Sequence, residues 1–149
     1  MTTATYLREV EIRFKAKKVG AKTPASKSIT DSAQVYQLFK DLENESKEKL
    51  IAISLDTKLK IIAFEVISLG SLNALYARPA EAVRAAILVN AYGVIMVHNH
   101  PSGDPTPSDP DKTFTEKLAR SCQDLGIALH DHVIIGENTH FSFAEEGLI

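Results

Sequence analysis

Cysteine occurs once in this chain, as Cys122, so neither an intrachain disulfide framework nor a cysteine-ligated zinc site can be built. That usage suits a reducing cytoplasm, the compartment we expect. No apolar run approaches the length of a membrane span, because Glu65, Arg84 and Asn90 interrupt the longest ones. Nor does a charged-then-apolar leader open the sequence. Internal repeats and low-complexity tracts are absent too. What remains, 149 residues of which 44% are hydrophobic and 24% charged, is the composition of one globular domain with a real core.

Charge is unevenly placed. Residues 1–30 carry Arg8, Arg13, Lys15, Lys17, Lys18, Lys22 and Lys27 against Glu9 and Glu11, a local balance of +5 in a chain of net −2, so the remainder carries −7. A basic arm on an acidic body can meet a polyanion. A solvated strand face with a linker accounts for it better, since no aromatics are interleaved to stack on bases.

Val10, Ile12, Phe14 and Ala16 alternate with charged residues, the pattern of a half-buried strand, and residues 17–30 read as a loop. Thr30-Asp31-Ser32 caps a helix over about 32–43, with Val35, Leu38, Phe39 and Leu42 on one face. Residues 50–55 and 61–69 are β-branched runs forming an antiparallel hairpin, ended by Gly70-Ser71-Leu72-Asn73. A helix is expected from Pro79 to about Tyr92. Residues 94–97 then form a strand buried on both faces that leads into His98. A helix over about 108–125 closes at Gly126, and 127–135 with 141–143 complete the sheet. The fold class is α/β, one central sheet with three main helices.

The chemistry concentrates in His98-Asn99-His100-Pro101-Ser102-Gly103-Asp104-Pro105-Thr106-Pro107-Ser108-Asp109-Pro110-Asp111. Side chains alternate across a strand, so His98 and His100 share a face while Asn99 points away. Asp111 falls in the first turn of the next helix, where its carboxylate can face back toward the histidines. Two imidazoles and a carboxylate suit zinc, with a fourth position left for water. Each part has a plainer account. Paired histidines can simply hydrogen-bond at a strand end, and Ser108-x-x-Asp111 is a capping-box start with Asp in place of the usual Glu. Taken together with the Pro/Gly turn, the set is far better explained by a metal.

The spacing His98-x-His100, seven residues, Ser108, two residues, Asp111 resembles the H-x-H-x₇-S-x₂-D signature of JAMM metalloproteases in the JAB/MPN superfamily. The fuller text of that segment is similar to the RadC branch of the superfamily. So are Gly70-Ser71-Leu72-Asn73, Asp131-His132-Val133-Ile134-Ile135-Gly136 and Phe141-Ser142-Phe143-Ala144-Glu145-Glu146-Gly147. The resemblance covers about residues 30–149. It implies a single-domain JAB/MPN-like (cytidine-deaminase-like) fold, a central mixed β-sheet flanked by about three helices, over 31–149. It implies Zn²⁺ held by His98, His100 and Asp111, and hydrolysis of an amide bond by a metal-activated water, as in a peptidase or isopeptidase. It also implies an upstream glutamate, at the start of a strand beside the metal, that takes a proton from that water and passes it to the leaving amine. Glu48 matches best, immediately before the 50–55 run; Glu45, Glu65 and Glu81 are rivals, and a charged exposed link is the plainer reading of Glu48. Ser108 would donate to the oxyanion. His130, His132 and His140 read as structural or supporting residues rather than ligands, His132 being the one placed to brace the site.

Two features depart from the family. Many RadC-like proteins carry a helix-hairpin-helix region before this domain, whereas here residues 1–30 are a basic strand and linker. Where the family tends to have His-Pro-Arg-Glu, this chain has Arg78-Pro79-Ala80-Glu81. The alternative function is a DNA-repair-associated binding module with a structural or vestigial metal site. The partners expected are a protein or peptide substrate, weak DNA contact through residues 8–27, no membrane, and a homodimer through a sheet edge or helices. An HNH nuclease is excluded, because its residues spread over a ββα unit, and a zinc nucleoside deaminase lacks support without Pro-Cys-x-x-Cys.

Overall fold

Residues 27–69 and 77–149, with Arg13 and Lys15, are the described part of a computed structural model of the chain. Apart from Arg13 and Lys15, the strand expected over 10–16 lies outside the described residues, as does the hairpin end at 70–73.

Strands β1 (Lys49–Leu55) and β2 (Ile61–Leu69) form the antiparallel hairpin that their β-branched runs predict. Asp56 shapes the turn between them. Its carboxylate accepts from the backbone N–H groups of Lys58 and Lys60 at 2.8 and 2.9 Å. Leu59 takes a left-handed φ of 58° there, an uncommon conformation for a large side chain, which packs against the core.

Helix α1 (Ser32–Phe39) begins with Asp31, whose carboxylate accepts from the Gln34 N–H at 2.8 Å. It ends four residues earlier than the sequence pattern suggests and tightens into a 3₁₀ helix over Lys40–Asn44. The buried face also shifts to Val35, Tyr36 and Leu42, because the Tyr36 ring stacks on His140 from the far edge of the sheet, centroids 5.0 Å apart. Helix α2 (Pro79–Leu88) likewise stops short of Tyr92. Asn90 adopts a φ of 52°, and the N–H groups of Asn90 and Ala91 return to the carbonyls of Ile87 and Ala86, a helix stop built on a left-handed asparagine. Helix α3 (Asp109–Leu125) closes in the same way on Gly126, φ 68°.

Strands β3 (Gly93–Asn99), β4 (Ala128–Gly136) and β5 (Thr139–Ser142) complete a five-stranded sheet in the order β2-β1-β3-β4-β5. Among the described strands only β3 and β4 are parallel, and α3 is the crossover that this pairing requires. The sheet is therefore mixed and the fold is the expected α/β arrangement with three helices.

Every residue of β3 is buried. Its odd-numbered residues Ile95 and Val97 join Ile51, Ile53 and Val133 beneath α1. Its even-numbered residues Val94 and Met96 join Ala82 and Ala86 of α2 and Phe114, Leu118 and Cys122 of α3. His98 is the next even position, so the alternation that buries Met96 delivers His98 to the α3 side. Among the described residues no helix is long and apolar enough to cross a membrane.

Cys122 is 1% exposed on α3, and burial pushes its thiol up to about 11. We expect iodoacetamide to leave native protein unmodified at mildly alkaline pH and to alkylate it stoichiometrically once urea has unfolded it. Rapid labelling of the native protein would contradict this packing.

Candidate metal centre

The site is built at the carboxyl end of β3. His98 and Asn99 are fully buried, and His100, just beyond the strand, continues the parallel pairing through its N–H to the Ile135 carbonyl at 3.0 Å. The chain then reverses over His100-Pro101-Ser102-Gly103, with the Gly103 N–H on the His100 carbonyl at 2.9 Å. Gly103 has a φ of 82°, and its carbonyl accepts from the Glu137 N–H at 2.8 Å. A Cβ on Gly136 would sit 2.5 Å from that carbonyl oxygen, so glycine there lets the loop lie directly on the end of β4. The His100 Nδ1 donates to the Asp104 carbonyl at 2.8 Å, which turns its Nε2 toward His98, 3.0 Å away.

Helix α3 brings the carboxylate. Ser108 is its N-cap in a reciprocal capping box: the Asp111 N–H donates to Ser108 Oγ at 3.2 Å, and the Ser108 N–H donates to Asp111 Oδ2 at 2.8 Å. The Ser108 hydroxyl donates to the same Oδ2 at 2.6 Å. Capping and site formation are thus one arrangement, because Asp111, 1% exposed, also lies 3.4 Å from His98 Nε2 through Oδ1 and 3.3 Å from His100 Nε2 through Oδ2.

Glu48 completes the group from just before β1. Its side chain is 12% exposed, and Oε1 is 3.8 Å from His98 Nε2. The plainer reading of Glu48, an exposed link, does not hold. The rivals are otherwise engaged: Glu45 pairs with Lys49, Glu65 with Arg84, and Glu81 with Arg78 at the start of α2. One ligand atom from each of Glu48, His98, His100 and Asp111 lies within 4.8 Å of the others.

Asn99 explains why Glu48 turns inward. Pointing away from the two histidines, its Oδ1 accepts from the Lys49 N–H at 2.8 Å and its Nδ2 donates to the Lys47 carbonyl at 3.2 Å. One buried amide therefore grips the backbone on both sides of Glu48. Nothing in the sequence links Asn99 with positions fifty residues earlier. Thr115 is a second residue the sequence reading did not single out. Behind His98, the buried His132 ring lies 2.8 Å from His98 Nδ1 and 2.6 Å from Thr115 Oγ1. His132 thus occupies the bracing position. His130 packs over Gly93, and His140 joins Ser32 on the other face of the sheet.

Electrostatics divide the two carboxylates. Burial opposes charge on Asp111, but the His100 and His98 rings beside it and the Ser108 hydroxyl outweigh it and hold the carboxyl well below the usual range. Glu48 goes the other way: burial raises it, partly offset by His98 and reinforced by Asp111. For His100, burial works against the proton, yet the bonds to Asp111 and Asp104 leave it above its ordinary value. Burial pushes His132 well below its own.

The donor set fits a metal. Four ligands about 2.0–2.1 Å from one zinc ion would lie about 3.3–3.4 Å apart, and the His98–Asp111 and His100–Asp111 separations are 3.4 and 3.3 Å. Both imidazole Nε2 atoms and an anionic carboxylate converge where a small cation would sit.

Two histidines, an aspartate and a buried glutamate, gathered at one strand end of a mixed α/β sheet, form a candidate metal-binding group. Residues 29–148 match the RadC-like JAB domain, and the chain belongs to that family. It is 38% identical over 143 residues to a UPF0758 protein of Aquifex aeolicus, covering 96% of this chain and 59% of the relative. It is 48% identical over 122 residues to a UPF0758 protein of Protochlamydia amoebophila, covering 81% and 53%. A UPF0758 protein of Thermotoga maritima is 42% identical over 119 residues, covering 80% and 54%. The chain thus spans little more than half the length of these relatives.

Replacing Asn99 by alanine leaves the Lys49 N–H and the Lys47 carbonyl without partners. The expected cost is about 1–3 kcal/mol, read from urea denaturation. Asn99→Asp should not restore it, because a carboxylate cannot donate to the Lys47 carbonyl; wild-type stability in both variants would remove the clamp from the account.

Proposed function

We propose that this domain is a zinc-dependent hydrolase of amide bonds, a metallopeptidase or isopeptidase acting on a protein or peptide. The observation that supports it most is the Glu48 carboxyl set beside three metal-ligand side chains and raised above its ordinary value by burial. A site that served only to hold an ion has no use for such a group. His98, His100 and Asp111 would hold the metal, and imidazole with carboxylate suits zinc. When bound, the ion supplies Lewis-acid polarisation and makes a water nucleophilic near neutral pH.

The chain's own groups supply the proton transfers. Glu48, more basic than an exposed carboxylate, accepts a proton from the attacking water and returns it to the leaving amine. The Ser108 hydroxyl, now on Asp111 Oδ2 at 2.6 Å, would turn to the carbonyl oxygen of the amide as negative charge develops there. The DNA-binding alternative falls on residues 8–27, most of which lie outside the described residues.

The test is metal content together with hydrolysis of a panel of peptides and isopeptides. Glu48→Gln is expected to keep stoichiometric zinc and lose turnover; equal turnover in that variant takes Glu48 out of the mechanism. Ser108→Ala should lower kcat by about 10²–10³-fold at unchanged metal content. An unaltered kcat would leave the serine as a helix cap alone.

A further inference from the structure

Behind His98 runs a line of polar groups that the hydrolytic reading above does not use. It starts at the backbone carbonyl of Asp111. The Thr115 hydroxyl, one helical turn later, donates to that carbonyl at 2.7 Å. A carbonyl oxygen only accepts, and a hydroxyl has one proton to give. Thr115 Oγ1 therefore meets His132 Nδ1, 2.6 Å away, as an acceptor, and Nδ1 carries the proton. The His132 ring is 1% exposed and stacks on Phe143 at a 5.0 Å centroid separation, an apolar setting that suits a neutral imidazole. A neutral ring protonated on Nδ1 presents a lone pair on Nε2. That lone pair accepts from His98 Nδ1–H across 2.8 Å, which leaves the Nε2 of His98 unprotonated and facing His100 and Asp111.

We propose that Thr115 and His132 are positioning residues that set the tautomer of His98 so that its Nε2 is an electron-pair donor to the metal. The inference rests on the metal reading above and deepens it. The direction of the chain is the essential point. Run the other way, with Thr115 donating to His132 and His132 Nε2–H donating to His98, it places a proton on His98 Nε2, where a cation cannot be bound. The carbonyl of Asp111 breaks the tie by claiming the Thr115 proton. Helix α3 thus contributes twice: the Asp111 side chain as a ligand, and the Asp111 main chain as the end of the line that orients another ligand. His100 reaches the same tautomer by a shorter route, since its Nδ1 donates directly to the Asp104 carbonyl. Partners behind a ligating histidine are commonly carboxylates or carbonyls, and their loss typically weakens metal affinity by about 10–100-fold.

The experiment uses the full chain labelled with ¹⁵N in histidine, with zinc affinity measured by chelator competition for wild type, Thr115→Val, Thr115→Ser and His132→Phe. Thr115→Val keeps the shape of the side chain and removes its hydrogen bonds, so a packing role alone would leave affinity unmoved. The expected result is a zinc-loaded wild type whose His132 and His98 rings carry their protons on Nδ1. Zinc binding should be about 10–100-fold weaker in Thr115→Val and His132→Phe and close to wild type in Thr115→Ser. If His132→Phe fails to fold, the threonine pair still decides. A wild type that binds zinc with its His132 proton on Nε2, or a Thr115→Val variant that binds zinc as tightly as wild type, overturns the relay alone. A wild type that binds no zinc overturns the metal reading and the relay with it.

Discussion

The site depends on burial of one strand from both sides. Because β3 is covered by α1 on one face and by α2 and α3 on the other, its side chains have no freedom to choose a face. The even row ends at His98 and the odd row at Asn99. Two adjacent residues are thereby sent in opposite directions to different tasks, one toward the other metal-ligand side chains and one toward the backbone that carries Glu48. A one-residue slip of β3 would exchange the two and abolish both.

Helix α3 shows the same coupling between folding and chemistry. A helix start needs acceptors for its free N–H groups, and Ser108 and Asp111 provide them. The positive end of the helix also favours a carboxylate in the first turn. Asp111 is held anionic by His100 and His98 and by the Ser108 hydroxyl of its own cap before any cation arrives. Glu48 has no such support and sits where burial and a neighbouring carboxylate disfavour charge. Two acids of similar intrinsic strength are driven apart by their surroundings.

Much of this was legible in the sequence, and the limits follow from range. Apolar runs rich in β-branched residues located β1, β2 and β3, and strand alternation put His98 and His100 on one face. Capping residues located the start of α3, and glycine its end. The signals that failed were local ones overruled from afar. The last turn of α1 tightens and its buried face moves to Tyr36 because a histidine on β5 stacks there. Asn90 ends α2 early, which its left-handed preference could have signalled. The inward turn of Glu48 depends on Asn99, and the support of His98 depends on Thr115 and His132. The Asn99, Thr115 and His132 contacts join residues between 17 and 52 positions apart, and Tyr36 and His140 lie farther apart still, so no short window of sequence contains both ends.

His98 ends the inward row of β3, His100 lies just beyond the strand and Asp111 in the first turn of α3, all within fourteen positions, while Glu48 lies fifty positions before His98. In the unfolded chain neither the burial of β3 nor the Ser108 cap orients the three nearby donors, and a loop of about fifty residues separates them from Glu48. An ion held at this point would therefore favour the assembled domain over the unfolded chain. Mass action would then make the ion part of the folding equilibrium itself, adding about 2.7 kcal/mol of stability at a free concentration a hundred times its dissociation constant. Thermal denaturation would in that case report metal supply, and the domain in a cell short of the ion would differ in lifetime as well as in chemistry.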